Sequence, residues 1–264
     1  MIKAVLAFCR SWVCIICMFI FTVFCMLFVG LCVMLFGDDQ SYIRGWKYVS
    51  SGYKWIAQYI GGLDYKVIGN KPDWNRSVMY AIRHESSWET LVFPCEFYFP
   101  LIFVKKELSQ IPIFNMFMIA TLSVFVDRKN GLKSLRDGMT RVKCALMLGK
   151  RHIVIFPEGR RKESGVYDGF QRGISNFYHA ANVPVVPVVL DSGKYWPAKK
   201  LRIYPGTVQV KFMDEIPAGL SKDELMRRLE ASFVQGLKDI GNWSEKSRLM
   251  YEGISQPSDE QIEQ

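Results

Sequence analysis

The chain has 264 residues, half of them apolar, so it can bury one good-sized core and leaves room for only a small second domain. Its formal net charge of +9 and pI near 9.2 favour an anionic partner such as nucleic acid, anionic lipid or a phosphorylated substrate. The sequence contains neither an RNA-binding aromatic motif nor zinc-finger spacing, which argues against nucleic acid.

An uncharged apolar run of roughly 25 residues lies near the N-terminus, from Trp12 to Phe36. It exceeds the ~20 residues that cross a bilayer core and predicts a membrane segment. A secretory signal peptide would have a shorter run that ends in small residues before a cleavage point, so we expect this segment to be retained. Beside a membrane, anionic lipids and phosphorylated substrates are the favoured partners of a basic chain.

Five of the seven cysteines lie in or beside the apolar run, where Cys14 and Cys17 form a C-x-x-C pair. A redox or zinc pair needs a polar, accessible setting, so we interpret these cysteines as small apolar residues. The other two, Cys95 and Cys144, are far apart and suggest no disulfide framework.

The segment from Tyr42 to Ile60 has apolar residues at every third or fourth position, with basic residues between them. This pattern predicts a basic amphipathic helix in the membrane interface; the alternative is a helix packed on the protein core. Lys3 and Arg10 favour an N-terminus on the cytoplasmic side, so one full crossing would place the remaining basic domain on the opposite side of the membrane. We therefore expect a helical hairpin or a membrane-embedded helical pair, with a single span as the alternative.

Beyond Gly61 and Gly62, short apolar runs alternate with amphipathic stretches. The predicted strands are Tyr65–Ile68, Val78–Ile82, Leu122–Val126, His152–Phe156, Val185–Leu190 and Thr207–Phe212. A helix that ends at Gly149 is predicted by one apolar face: Leu132, Leu135, Met139, Val142 and Leu146. A second helix begins at Ser221, and its apolar face carries Leu225, Leu229 and Phe233.

The fold class is therefore α/β, with a central sheet covered by helices. Three parts are predicted: residues 1–60 attach the chain to a membrane, and residues 61–243 form the α/β domain. Residues 244–264 form a polar C-terminal tail that we expect to be frayed.

His84 is one of only three histidines and directly follows a predicted strand, in Ile-Arg-His-Glu-Ser-Ser-Trp-Glu-Thr. On a continuous helix the side chain of Glu89 would point about 140° away from His84, so the two meet only if His84 precedes the helix. Ser86 or Ser87 is a suitable N-cap for a helix that begins there. Glu89 would then hold one ring nitrogen as N–H and leave the other free to accept a proton.

A protein nucleophile to accompany this base is missing. The chain has no G-x-S-x-G motif, and Cys95 has no activating context, so the substrate would have to supply the hydroxyl. His84-Glu85 begins an H-E-x-x-H zinc motif, but Trp88 occupies the place of the second histidine, and no metal site is predicted. The alternative is that a histidine and a glutamate at this spacing are surface decoration.

Charged residues follow two predicted strands. After Phe156 come Pro157, Glu158 and Gly159 and then a run of three cations, and after Val126 come Asp127 and Arg128. Because α/β proteins bind ligands at strand ends, backbone N–H groups and guanidinium groups there predict a phosphate site; an ordinary basic loop is the alternative. The prolines of Val183–Val188 predict an edge or irregular strand that forms a wall.

These motifs form four blocks along the chain: His84–Glu89, Val124–Arg128, Phe156–Arg161 and Val183–Val188. Together they resemble the glycerophospholipid acyltransferase family, in particular its bacterial 1-acyl-glycerol-3-phosphate acyltransferases. The resemblance covers nearly everything from Tyr65 to about Phe233. It implies a mixed, largely parallel sheet flanked by helices, with an N-terminal helical pair buried in one leaflet. It also implies transfer of an acyl group from acyl-CoA or acyl carrier protein to the free hydroxyl of 1-acyl-glycerol-3-phosphate, which gives phosphatidic acid.

The resemblance also assigns roles to residues. In that family the histidine deprotonates the acceptor hydroxyl and the neighbouring acid orients the imidazole, which places the catalytic roles on His84 and Glu89. Phosphate binding or pocket shaping falls on Arg128, Glu158, Gly159 and Arg161. The candidates for the acyl-donor side or the pocket are Ser87, Lys105 and Pro187. No metal or organic cofactor is implied, and the expected location is the bacterial cytoplasmic membrane, with the catalytic domain facing the cytoplasm.

The chain departs from the family pattern at three positions. The family more often has Asp at Glu89, usually has Thr at Arg160, and commonly has Gly at Asn115. Arg160 either adds a contact to the phosphate or is only a solvent-exposed charge, and this choice bears on the identity of the acceptor. The alternatives are the same chemistry on glycerol-3-phosphate or another lysophospholipid, a non-catalytic lipid-binding scaffold, and a thioesterase or phospholipase.

Overall fold

The computed structural model describes residues 2–36, 39–97, 100–111, 115, 118, 122–127, 130–171, 173–198 and 200–252. Within these residues, seven strands form one sheet: β1 Leu63–Ile68, β2 Val78–Ile82, β3 Leu101–Lys105, β4 Val124–Val126, β5 His152–Ile155, β6 Val185–Leu190 and β7 Gly206–Phe212. The order is β1-β7-β6-β2-β5-β3-β4, with β6 and β7 antiparallel and the other neighbours parallel. The predicted mixed, largely parallel sheet is confirmed.

Different helices cover the two faces of this sheet. One face carries α1 (Ile2–Phe36), α2 (Asp39–Trp55) and α3 (Trp88–Leu91), and the other carries α4 (Gly131–Met147), α5 (Gly173–Ala181) and α6 (Lys222–Asp239). Side chains of β2 alternate between two cores, with Tyr80 and Ile82 in the first and Met79 and Ala81 in the second. Because both faces are covered, every residue of β2 is buried.

Helix α4 packs four of the five residues of its predicted apolar face against the core: Leu135, Met139, Val142 and Leu146. Leu132, expected in the core, is 87% exposed. The buried positions are Ser134, Gly138, Val142 and Ala145. A Cβ at Gly138 would lie 2.8 Å from Phe177 of α5, so small residues let the two helices approach closely. Close packing of small residues, rather than the leucine stripe alone, therefore sets the rotation of α4.

The C-terminal segment is more ordered than predicted. Helix α6 begins as expected after Ser221, whose hydroxyl accepts the N–H of Glu224 (3.3 Å). The polar stretch after Ser244, expected to be frayed, begins with helix α7 (Glu245–Glu252). The Ser247 hydroxyl of α7 donates to the carbonyl of Gly165 (2.7 Å), which anchors this helix on the α/β domain. The rest of the predicted tail, residues 253–264, lies outside the described residues.

Helices α1 and α2 pack against each other and against the domain. A Cβ at Gly52 of α2 would lie 2.1 Å from the ring of Phe21 in α1, so this glycine permits close contact. The hydroxyl of Ser11 donates to the carbonyl of Ile203 (2.9 Å) and accepts its N–H (3.1 Å). The beginning of α1 is thus hydrogen-bonded to a loop of the α/β domain.

In the described part of the chain, α1 is the one helix long and apolar enough to cross a membrane. The pattern of the N-terminal 60 residues predicted two membrane-embedded helices, and this expectation is corrected to one candidate span. Val49 and Tyr53 of α2, and Ile56 directly after it, pack in the core cluster that includes Cys14 and Met18 of α1. The alternative interpretation of this segment, a helix packed on the protein core, describes α2 better.

Candidate functional site

Most of the predicted site residues meet at one edge of the sheet. Strands β2, β3, β4 and β5 are parallel, so their carboxyl ends lie at the same edge. His84 follows β2, Lys105 is the last residue of β3, and the turn that contains Glu158 and Arg161 follows β5. Arg128, which follows β4 in the sequence, lies outside the described residues.

His84 is held by its backbone and by an aromatic ring. Its N–H donates to Oε2 of Glu158 (3.0 Å), and its carbonyl accepts the N–H of Lys162 (2.8 Å). The imidazole stacks on Phe156, with ring centroids 4.2 Å apart. Both hydrogen bonds and the stacking partner come from β5 and the turn after it, so this turn fixes the position of the histidine.

The imidazole of His84 is neutral because of its surroundings. The pKa of His84 is lowered to about 3, mainly by burial and further by the nearby cations Arg161, Lys105 and Arg83. Its buried Nδ1 has no hydrogen-bond partner in the part of the chain that the structure describes. Arg161 and Lys105 are exposed and form no ion pair with the residues that the structure describes. The site therefore combines a deprotonated imidazole with two cations that are free to bind an anion.

Glu89 binds the backbone beside His84 rather than the imidazole. Its Oε1 accepts the N–H groups of Glu85 (2.7 Å) and Ser86 (2.9 Å), and its Oε2 also accepts the N–H of Ser86 (2.9 Å). The Ser86 hydroxyl in turn accepts the N–H of Trp88 (3.1 Å). Glu89 thus makes the carboxylate half of a capping box with the N–H of Ser86, while the Ser86 hydroxyl caps the helix through Trp88 rather than through Glu89. The prediction that the helix starts after His84 with a serine cap is confirmed.

The predicted hydrogen bond between Glu89 and the His84 ring is wrong for this structure, since Nδ1 is unpartnered among the described residues and Glu89 binds other groups. The physical reason is competition, because backbone N–H groups and the Ser192 hydroxyl (2.8 Å) already donate to the Glu89 carboxylate. Burial raises the pKa of Glu89 to about 8, against the effect of these donors. Ser87 makes no side-chain capping bond. Glu89 consequently orders the loop that carries His84.

A buried charge network, which the sequence analysis missed, lies beneath the histidine. Arg83 is fully buried, and it donates through Nε to Glu85 (2.9 Å), through Nη1 to Glu158 and through Nη2 to the carbonyl of Val166 (2.6 Å). Glu158, predicted to bind phosphate or shape the pocket, is only 1% exposed and faces this network. Burial raises its pKa to about 7. The sequence does contain a signal for this network: Arg83 directly follows a wholly apolar strand, and an arginine buried there needs paired partners.

Among the described residues, the turn after β5 presents one cation without an ion-pair partner, Arg161. Gly159 has φ +66°, and a Cβ there would lie 2.8 Å from Gln171, so the turn requires glycine. Arg160 forms an ion pair with Asp168 (3.3 Å), and the buried Lys162 pairs with the same carboxylate. Arg160 is thus engaged with a carboxylate, and Arg161 remains as the cation of this turn that lies beside the histidine.

Pro187 lies inside the sheet, because β6 pairs with β2 on one side and β7 on the other. The ladder with β7 ends at Val188 opposite Phe212, and one isolated bridge joins Val185 to Ile216. Pro187, which has no N–H to donate, occupies the irregular stretch between them. The prediction of an irregular strand is confirmed, and the alternative of an edge strand is wrong.

The segment that carries all these site residues also matches a known family, since residues 65–191 fit the family model described as Acyltransferase. This segment is similar to acyltransferase domains. Over 157 residues the chain is 31% identical to the 1-acyl-sn-glycerol-3-phosphate acyltransferase of Pseudomonas aeruginosa, which covers 59% of this chain and 60% of that protein. The enzyme of the same name from Saccharomyces cerevisiae is 26% identical over 199 residues, which are 70% of this chain and 64% of that protein.

The α/β domain and its helices also share their fold with a solved structure. The crystal structure of the 1-acyl-sn-glycerophosphate (LPA) acyltransferase PlsC from Thermotoga maritima aligns with a TM-score of 0.74 and 20% identity. The alignment covers 90% of this chain and 100% of that chain. The two curated relatives, by contrast, are matched over less than two thirds of their own lengths.

Proposed function

We propose that the α/β domain transfers an acyl group from acyl-CoA or acyl carrier protein to the free hydroxyl of 1-acyl-glycerol-3-phosphate. The product is phosphatidic acid, an intermediate of phospholipid synthesis. The observation that carries the proposal is the neutral imidazole of His84 beside Arg161 and Lys105, two exposed cations without a carboxylate partner among the described residues. The names of the relatives support this acceptor.

In this mechanism the two cations position the acceptor and His84 moves the proton. The phosphate of the acceptor binds Arg161 and Lys105, which holds the hydroxyl near the imidazole. His84 takes the hydroxyl proton as the oxygen attacks the thioester carbonyl. A C–O bond forms and the C–S bond breaks, and the departing thiolate takes the proton back from His84. The proton balance thus closes without a metal or an organic cofactor.

The same geometry couples acceptor binding to the strength of the base. Arg161 and Lys105 lower the pKa of His84 because their charges disfavour the imidazolium ion. A bound phosphate offsets these charges, so we expect the pKa of His84 to rise when the acceptor is in place. The imidazole would then become a stronger base only when a hydroxyl is available.

We further propose that α1 attaches the enzyme to the bacterial cytoplasmic membrane, with the α/β domain on the cytoplasmic side. Cys144 of α4 is exposed, so its labelling reports on which side of the membrane the domain lies. A membrane-impermeant maleimide should label it in inverted membrane vesicles and not in intact spheroplasts, with Cys144→Ser as the control for labelling elsewhere. Equal labelling in intact spheroplasts would contradict this orientation.

The acceptor is tested with the purified full chain in detergent micelles and one radiolabelled acyl-CoA. The acceptor panel contains 1-acyl-glycerol-3-phosphate, glycerol-3-phosphate, and lysophospholipids with other headgroups, and a parallel series uses acyl carrier protein as donor. We expect the highest kcat/KM with 1-acyl-glycerol-3-phosphate. Preference for another acceptor would replace it in the proposal, and acyl-CoA hydrolysis without acceptor at the rate of transfer would indicate a thioesterase.

A further inference from the structure

The strongest unassigned feature near the site is the buried guanidinium of Arg83. A buried arginine is costly unless its N–H groups find acceptors, and here Nε, Nη1 and Nη2 all do. Two of the acceptors are carboxylates, Glu85 and Glu158, and both side chains are fully buried. Arg83 itself is fully buried and so cannot contact the substrate.

We propose that Arg83 is a positioning residue: it fixes the carboxylate of Glu158, which in turn fixes the backbone of His84. Glu158 uses one oxygen for Nη1 of Arg83 and the other for the N–H of His84 (3.0 Å). Removing the guanidinium frees that carboxylate to rotate. The inference rests on the base role proposed for His84.

Arg83 also joins the histidine loop to the turn that carries the candidate phosphate ligand. Its Nη2 donates to the carbonyl of Val166 (2.6 Å), and the carbonyl of His84 accepts the N–H of Lys162 (2.8 Å). Arg161 directly precedes Lys162, the first of these two attachment points, in the sequence. The network therefore keeps the imidazole and the cation at a fixed separation, which the geometry of acyl transfer requires.

The two carboxylates of the network have different tasks. Glu85 accepts the N–H groups of Gly165 (3.0 Å) and Gly193 (3.1 Å) and the side-chain amide of Asn242 (2.9 Å), so it ties together three distant loops. Glu158 is the carboxylate that contacts the backbone of His84. The effect of Arg83 on the reaction should therefore pass through Glu158, and this makes the inference testable.

The experiment compares Arg83→Gln, Arg83→Lys, Glu158→Gln and the double variant Arg83→Gln/Glu158→Gln in the purified full chain. The matched control is Arg76→Gln, which removes an exposed arginine paired with Glu215 at the other end of β2. We expect Arg83→Gln to lower kcat by about 100-fold, the cost of a misplaced catalytic group, with little change in the KM of the acceptor. The double variant should lose little more than either single variant, because both remove the same contact. Arg83→Lys, which keeps the charge, should recover part of the loss.

A second readout separates positioning from general destabilisation. The chain has three histidines, so 13C-labelled histidine gives three signals, which His84→Ala assigns. The His84 signal should move in Arg83→Gln and stay in place in Arg76→Gln. If Arg83→Gln does not fold, Arg83→Lys and the charge-neutral double variant replace it.

The inference is overturned by a kcat within about three-fold of wild type in a folded Arg83 variant, or by independent, multiplicative losses in the double variant. It is also overturned if the His84 signal is unmoved, or if no Arg83 variant folds, since the residue would then serve folding alone. His84→Ala is assayed in parallel. If that variant stays active, the proposed function fails; if it is inactive while Arg83 variants keep their kcat, only this inference fails.

Discussion

Removing the two cations beside His84 should raise its pKa into the range that can be titrated. The perturbation is the double variant Arg161→Gln/Lys105→Gln, which removes both charges and keeps a polar side chain of similar length at each position. Both residues are exposed, so the substitutions should leave the fold intact. Burial and these cations disfavour the imidazolium ion, and they act together in the wild-type chain.

The magnitude follows from the causes of the shift. The pKa of His84 is lowered from 6.5 to about 3, which corresponds to roughly 5 kcal/mol against the charged form. Burial is the largest cause and remains in the variant. Each nearby like charge shifts a pKa by about one unit, so the double variant should titrate near pH 5.

The assay is a pH titration, from about pH 4 to pH 8, of the 13C signals of labelled histidine. In the wild-type chain the His84 signal should not titrate above about pH 4.5, given its pKa of about 3. Adding a non-reactive analogue of the acceptor should raise the pKa of His84 in the wild-type chain and have little effect in the double variant. A wild-type midpoint near 6.5, or an unchanged His84 signal in the double variant, would refute the reasoning.

Three further predictions concern the capping box and the attachment of α1. Glu89→Gln should lower kcat about tenfold and the free energy of unfolding by about 1 kcal/mol, because an amide cannot accept every backbone N–H that the carboxylate binds; steady-state kinetics and urea unfolding measure these losses. Ser11→Ala leaves two backbone groups unpaired and should cost about 1–3 kcal/mol by urea unfolding, whereas the exposed Ser51→Ala should be neutral. Gly52→Ala should lower the free energy of unfolding by about 1–3 kcal/mol, because the added methyl group overpacks against Phe21, and the melting temperature should fall accordingly. Gly131→Ala, with open space around it, should not lower the melting temperature. Equal effects of a variant and its control would contradict the corresponding contact.

The parts of the fold that the sequence predicts well are those set by local patterns. Strands β2 and β6 match the prediction at both ends, because each is a short apolar run bounded by polar or turn-forming residues. Strand β3 was missed because its continuous apolar residues have no alternation that distinguishes a strand from a buried helix. The apolar face predicted for α4 is confirmed except at the exposed Leu132, but the pattern did not reveal the close helix contact at Gly138.

In the candidate site, too, the features set by neighbouring residues were predicted and those set by distant residues were not. The placement of His84 before a serine-capped helix follows from neighbouring residues, and the structure confirms it. The role of Glu89 was misjudged although Ser86 and Glu89 have the three-residue spacing of a capping box. Apart from their contact with each other, the partners of Arg83 and Glu85 could not be predicted, because they lie 75 to 157 residues away and meet only when the sheet forms.

The central claim is that His84 is the base of an acyl transfer to a lysophosphatidate hydroxyl. The most direct measurement is the initial rate of radiolabelled phosphatidic acid formation by wild type, His84→Ala and His179→Ala, each purified as the full chain. His179 is exposed on α5 and provides the matched control. We expect His179→Ala to retain the wild-type rate and His84→Ala to lose at least about 100-fold with its melting temperature unchanged. A rate in folded His84→Ala above about a tenth of wild type would remove this histidine from the base role.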